Sequence, residues 1–214
     1  MEYFLNSEGA VIVYELIKTI QDNKEYLSEV DGAIGDGDHG INMNKGFTLC
    51  KERLEGKNID LTKALNTLGM VLFTEIGGSM GPLYGTLFME MSGVCKGKEQ
   101  IDRQVFFDML KAALTEIQSL GNAKVGDKTL LDTLVPALNA YEAALNEGKS
   151  FVDALKAMKK AAEEGKDSTR DMVAKVGRAS RLGGRSRGIL DAGATSCYLL
   201  LASMADSIIA LIEK

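Results

Sequence analysis

Three carboxylates and four glycines crowd into the ten residues Asp31-Gly32-Ala33-Ile34-Gly35-Asp36-Gly37-Asp38-His39-Gly40. Glycine opens backbone conformations closed to other residues, so such a loop can fold back on itself and bring Asp31, Asp36 and Asp38 together. Converging like charges repel unless a cation joins them. Hard divalent ions take oxygen ligands, and magnesium is usually held by a few carboxylates plus phosphate and water. The calcium loop of helix-loop-helix proteins is excluded, because no Glu stands at the closing distance that pattern requires. The plainer reading is a polar turn whose Asp side chains cap backbone N–H groups. That reading leaves three crowded charges uncompensated. His39, the only histidine, can exchange a hydrogen bond with a phosphate oxygen or offset charge as imidazolium, while a lone histidine also often does no more than orient a loop. A phosphate contact is favoured over a covalent phosphohistidine. Asn42 and Lys45 lie within reach of the same helix start, and Lys45 is equally a solvated surface charge.

Two further stretches suit an anion. Gly77-Gly78-Ser79-Met80-Gly81-Pro82-Leu83-Tyr84-Gly85 joins a glycine turn to a helix start, where free N–H groups and the helix dipole point outward. It is neither a P-loop nor a dinucleotide fingerprint, since no strand precedes it and no Lys follows. A glycine-mediated contact between two helices is the competing explanation, with Leu83 and Tyr84 as core under either. Residues 177–188 carry Arg178, Arg181, Arg185 and Arg187 immediately before Asp191-Ala192-Gly193-Ala194. Guanidinium forks match polyphosphate oxygens, although Arg181 and Arg187 read at least as well as surface charges. Gly126-Asp127-Lys128-Thr129-Leu130-Leu131-Asp132-Thr133 is a weaker glycine-to-helix junction with apolar residues able to meet a purine.

Positioning these loops falls to helices. Apolar residues recur at helical spacing along most of the chain, and no segment reads as a convincing strand. Ser7 is expected to cap a first helix through Val13, Ile17 and Ile20 that ends near Val30. A second runs from about Asn42 to Leu54, and a third is capped by Asp60 and stops at Gly77-Gly78. The fourth follows Pro82, the fifth covers about Asp102 to Leu120, and the sixth runs from Lys128 to Asn146. The seventh runs from Ser150 to a stop at Gly165, and a last apolar helix ends near Ile212. Eight helices in one domain spanning 1–214 are expected, forming one bundle or closed ring that buries every apolar stripe.

Composition narrows the function. Net charge is −5 with charges mixed along the chain, which disfavours nucleic acid as a partner. The same acidic balance means that any phosphate site must be made locally, from metals, backbone N–H groups or a few arginines. No apolar run is expected to reach bilayer length, since Asp206 interrupts the one near Leu199–Leu201. The acidic start lacks the basic and apolar regions of a secretory signal, so a cytoplasmic address is expected. Cys50, Cys95 and Cys197, odd in number and far apart, read as reduced core residues and not as a disulfide frame or zinc site.

Together, Asp31 through Asn42, Gly77 through Gly85, Gly126 through Thr133 and Gly177 through Ala194 resemble the L subunit family of bacterial, PTS-dependent dihydroxyacetone kinases. The resemblance spans nearly the whole chain. It implies an all-α antiparallel barrel of eight helices with a nucleotide site at one end, holding ADP or ATP through two magnesium ions. Asp31, Asp36 and Asp38 would be the metal ligands, at the catalytic centre with His39. His39, Gly40, Ile41 and Asn42 would stand beside the phosphates with Gly78, Ser79 and Met80. Gly121 and Leu130 would lie near the base, and Arg178, Asp191, Ala192 and Gly193 would close the site.

The partners implied are a ketose-binding K subunit and a histidine-phosphorylated PTS carrier, in glycerol metabolism, with a homodimer left open. Three positions depart from the family pattern: Met80 for a small polar residue, Gly184 for Glu and Ala192 for Pro. Two other readings stand beside this one, a subunit drawing directly on free ATP and a regulatory partner of a transcription factor.

Overall fold

The computed structural model describes residues 2–214. Among the described residues nine α-helices carry the fold: α1 (Ala10–Asp22), α2 (Lys24–Gly32), α3 (His39–Leu54), α4 (Leu61–Glu75), α5 (Met80–Cys95), α6 (Arg103–Ser119), α7 (Leu131–Asn146), α8 (Phe151–Ser168) and α9 (Ala192–Ile212). The chain is all-α but for two three-residue strands, β1 (Tyr3–Leu5) and β2 (Gln100–Asp102), paired antiparallel with Phe4 opposite Ile101. These strands were not expected. They are too short to show alternation in sequence, and pairing places both Phe4 and Ile101 in the core.

The ninth helix comes from a break inside the expected first one. The chain bends at Asn23, whose side-chain amide donates to the Thr19 carbonyl, so α1 and α2 are separate. Nor does Ser7 cap α1. It lies in a 3-10 turn, Asn6–Glu8, and Gly9 precedes the helix. Asp60, Asp102 and Ser150 do cap α4, α6 and α8, each accepting backbone N–H bonds from the first turn. Gly165 does not stop α8. A Cβ at Gly165 would run into the backbone of Asp132 and Thr133, so this glycine lets α8 lie directly on α7. Pro136, four residues after Asp132, has no N–H to return to the Asp132 carbonyl, which faces that approach.

Consecutive helices from α3 onward pack as neighbours, and α9 returns against α1, α7 and α8. Their inward faces build one continuous core from Phe4 to Ile208, and Phe106, Phe107, Tyr141 and Phe151 form an aromatic cluster in it. By length and composition α9 could cross a membrane, contrary to expectation, because a single Asp206 does not offset its apolar residues. Half of that apolar stretch is buried inside the protein, with Cys197, Leu201, Met204 and Ile208 in the core, as befits a central helix. All three cysteines are free and buried.

Candidate functional site

The helix starts decide where the chemistry lies. α3, α5 and α9 begin at the same end of the molecule, and a hydrogen-bonded chain ties their first turns together. His39 Nε2 lies 2.9 Å from Ser196 Oγ, and Ser196 Oγ lies 2.6 Å from the Tyr84 hydroxyl. Both hydroxyls reach the Gly193 carbonyl at 3.1 Å. Burial pushes the His39 imidazole below its usual pKa, partly opposed by Asp31, so the ring is neutral at pH 7 and exchanges hydrogen bonds as a donor-acceptor. Tyr84 is core, as expected, yet its hydroxyl belongs to this network.

The acidic loop folds over the same end. Asp31 stands on the last turn of α2, while Asp36 and Asp38 lie between α2 and α3. The three carboxylates each bring an oxygen within 4.8 Å of the others. Two features make this possible. Gly37 turns the loop at φ 76°, and Gly35 passes so close that a Cβ there would strike the Asp31 carboxyl group. Asp31 in turn accepts the His39 N–H at 3.3 Å. Gly40 is packed against α2, where a Cβ would meet the Lys24 carbonyl and the Ser28 amide nitrogen. Ser28 Oγ, caught in this contact, is the one buried side-chain polar atom among the described residues without a hydrogen-bond partner.

Crowding shows in the electrostatics. Burial, the charge of Asp36, a hydrogen bond with Asp36 and the charge of Asp31 push the Asp38 carboxyl above the ordinary range, and Arg178 pulls it back. The Arg178 guanidinium is paired with Asp36. A cluster of hard oxygen donors that draws in a guanidinium fits a divalent cation. Asp31, Asp36 and Asp38 would hold it.

On the neighbouring turn, Gly78 has φ 72° and the exposed Gly77, Gly78 and Ser79 lead into α5 at Met80. The first N–H groups of α5 have no carbonyl of their own helix to meet. The glycine-mediated contact between helices is found at Gly81 and Gly85, which press against α4 and the residue that ends it, while Gly77 and Gly78 have open space around them. Ser79 precedes the helix without a side-chain cap bond.

Leu130 and Gly193 are brought together, since a Cβ on Gly193 would lie 3.5 Å from the Leu130 nitrogen and 3.1 Å from Asp191 Oδ2. Asp191 caps α9, accepting the Ala194 N–H at 2.7 Å, with Ala192 buried behind it. Burial raises the Asp191 carboxyl to about 6, against the opposing pull of the Ala194 N–H and of Lys128. Ile41 and Asn42 lie on the first turn of α3, with Ile41 exposed. Gly121 is exposed in the α6–α7 loop and has open space around it.

Sequence reasoning missed Ser196 and misplaced Lys128. Ser196 is a polar residue one turn into an apolar helix, and that was its only signal. Lys128 does not begin α7, which starts at Leu131. Its φ is 64°, outside helical conformation, and the side chain is buried. Asp132 holds this turn by accepting the Gly126 and Thr129 N–H groups at 2.6 and 2.7 Å.

Residues 33–206 match the family model described as the DAK2 domain. The chain is 40% identical over 186 residues to a Listeria innocua protein described as PEP-dependent dihydroxyacetone kinase 1, ADP-binding subunit DhaL, covering 86% of this chain and 88% of that one. It is 37% identical over 186 residues to the PTS-dependent dihydroxyacetone kinase, ADP-binding subunit DhaL, of Lactococcus lactis, covering 86% and 88%. The crystal structure of the dihydroxyacetone kinase of C. freundii shares the fold, with a TM-score of 0.71 at 24% identity. That match covers 94% of this chain and 34% of the larger one, so the chain corresponds to about a third of it.

Proposed function

The chain belongs to the DAK2-domain family, and from that membership we infer that it is the ADP-binding phosphotransferase subunit of a PTS-dependent dihydroxyacetone kinase. It works with a ketose-binding K subunit and a histidine-phosphorylated PTS carrier, the carrier recharging bound ADP and the K subunit presenting the ketose. The observation that carries this reading is the meeting of three carboxylates with the starts of α3, α5 and α9, in a chain so similar over most of its length to ADP-binding subunits.

Asp31, Asp36 and Asp38 would bind magnesium, two ions in our reading, which supplies positive charge against the phosphate oxygens when present. The chain's own groups do the rest. The backbone N–H groups of Gly78, Ser79 and Met80, at the start of α5, would donate to phosphate oxygens along the helix dipole. His39, held neutral and fixed by Ser196, offers its imidazole as a hydrogen-bond partner beside Gly40, Ile41 and Asn42. Arg178 brings charge from the opposite side, and its pairing with Asp36 shows that it reaches the cluster. Leu130 and Gly121 would lie near the base, and Asp191, Ala192 and Gly193 would close the site. The substrate's attacking oxygen must be aligned with the phosphoryl group, a task that falls to the K subunit. We read the whole chain, 1–214, as one cytoplasmic domain whose helices close into an antiparallel barrel, with the three reduced cysteines agreeing with that compartment.

Calorimetry of ADP binding with magnesium and with EDTA tests the metal bridge, and equal affinity in both would sink it. Triose phosphate formation, assayed with each component omitted in turn, tests the subunit role. Product should require the K subunit and, at catalytic ADP, the phosphoenolpyruvate-driven carrier. Robust product from this chain and ATP alone would refute the assignment.

A further inference from the structure

Lys128 is 1% exposed and stands at φ 64°, a backbone conformation that glycine adopts more readily than any side-chain-bearing residue. Something about the side chain must offset that strain. Its ammonium group donates to three backbone carbonyls, Met172 at 3.3 Å, Ser186 at 2.5 Å and Ile189 at 2.6 Å, which matches its three N–H donors one for one. The acceptors are not neighbours in sequence. Met172 lies six residues before Arg178 and Ile189 eleven after it, so one buried cation joins both roots of the segment that carries all four arginines of the loop.

Other bonds close the same root. The Ala174 N–H donates to Ser186 Oγ at 2.9 Å, the Gly188 N–H to the Arg170 carbonyl at 2.7 Å, and the Lys175 N–H to the Asp127 carbonyl at 3.1 Å. Beyond the root the segment forms 3-10 turns over Arg178–Ser186, broken at Gly183. Arg178, Arg181 and Arg185 are exposed, and within the protein Arg178 reaches Asp36 of the acidic loop.

We propose that Lys128 is a positioning residue that pins the arginine loop over the carboxylates and thereby sets how long a nucleotide stays bound. The nucleotide clause rests on the reading given above, whereas the pinning does not. With the ammonium in place, the loop pivots only beyond its roots and keeps Arg178 at the cluster. Without it, three carbonyls lose their shared donor, and residues 172–189 open together instead of fraying singly.

Two variants separate the ammonium from the space it fills. Lys128→Gly removes the cation while relieving the backbone strain, and Lys128→Met keeps most of the side-chain volume without the charge. Limited trypsin digestion without nucleotide, followed by mass spectrometry, reads loop opening directly. In both variants cleavage at Arg178, Arg181 and Arg185 should quicken by about tenfold or more over wild type, because proteolysis follows the population of the open loop. Displacement of a fluorescent ADP analogue, loaded with magnesium, should show release faster by about tenfold or more.

Adding n-butylammonium to Lys128→Gly should slow both processes, a rescue that a space-filling role does not provide. If the glycine variant does not fold, the methionine variant carries the comparison. Wild-type cleavage rates in the variants would overturn the pinning. Faster cleavage with unchanged nucleotide release would overturn the residence-time role. A wild-type protein that binds no ADP analogue would instead overturn the proposed function, leaving the digestion result to decide the pinning.

Discussion

Replacing Ser196 by Ala removes the hub that joins three helix starts, and the structure fixes what each partner loses. The Tyr84 hydroxyl keeps the Gly193 carbonyl at 3.1 Å, so it stays satisfied. His39 Nε2 loses its 2.9 Å partner and is left without one in a withdrawn setting. Orphaning a part-buried polar atom such as this one costs up to about 1–3 kcal/mol. For a domain of this size, ~2 kcal/mol corresponds to a fall of roughly 4–8 °C in melting temperature. Tyr84→Phe orphans nothing, since Ser196 retains both His39 and Gly193, and should cost only about 0.5–1.5 kcal/mol. The Tyr84–Ser196 bond is lost in either single variant but can be lost only once. The double variant should therefore be less destabilised than the sum, by about 0.5–1.5 kcal/mol. Urea unfolding of all four proteins of the cycle measures this. Additivity within ~0.3 kcal/mol, or a cost for Ser196→Ala below ~0.5 kcal/mol, would show that the network is a geometric coincidence.

Other perturbations read other parts of the site. Gly40→Ala places a Cβ against the backbone of α2 and should destabilise by at least about 1–3 kcal/mol, whereas Ser28→Ala, which deletes the orphaned hydroxyl in the same contact, should be neutral or stabilising in the same urea assay. Met80→Ser should leave ADP affinity within about tenfold by calorimetry, because the phosphate donors there are backbone N–H groups that the change leaves in place. Asp191 has a folded pKa of about 6 against an unfolded value near 3.8, so the folded state holds the proton more tightly and this group favours folding most when protonated. Its contribution should fall as pH rises from about 4 to about 6 and stay flat above. Asp191→Asn, which can still cap α9, should gain on wild type across that window, reaching about 1–3 kcal/mol at pH 7 in a pH series of unfolding curves.

The parts legible in sequence were those governed by local rules. The Asp60 cap and the helix starts near Asp102 and Ser150 follow from a short polar side chain before an apolar helix, and the acidic loop announced itself by composition. What escaped notice depends on contacts distant in the chain. Nothing local tells that Asn23 bends the first helix, because that bend lets α2 settle against α3 at Gly40. Gly165 looked like a stop because glycine usually is one, and only its juxtaposition with Asp132 makes it a crossing point. Lys128 read as a helix start, since its three carbonyl partners lie 44 to 61 residues away and leave no local signal. Ser196, read alone, was a serine in a core helix.

The arrangement also explains why an acidic protein can hold a polyphosphate. Carboxylates alone would repel the anion, and helix starts alone would accept any small anion without preference. Here the two are built against each other: Asp31 accepts the first N–H of α3, and the imidazole on that residue reaches α9 through Ser196. A divalent cation at the carboxylates and an anion at the helix starts would each neutralise the field that opposes the other. Their binding is then reciprocal, since whatever affinity the metal adds for nucleotide the nucleotide must add for the metal. Arg178 fits the same logic from the other side. In its pairing with Asp36 it supplies the positive charge that the cluster attracts, and a metal drawn to Asp36 would compete for that carboxylate and free the guanidinium for phosphate oxygens.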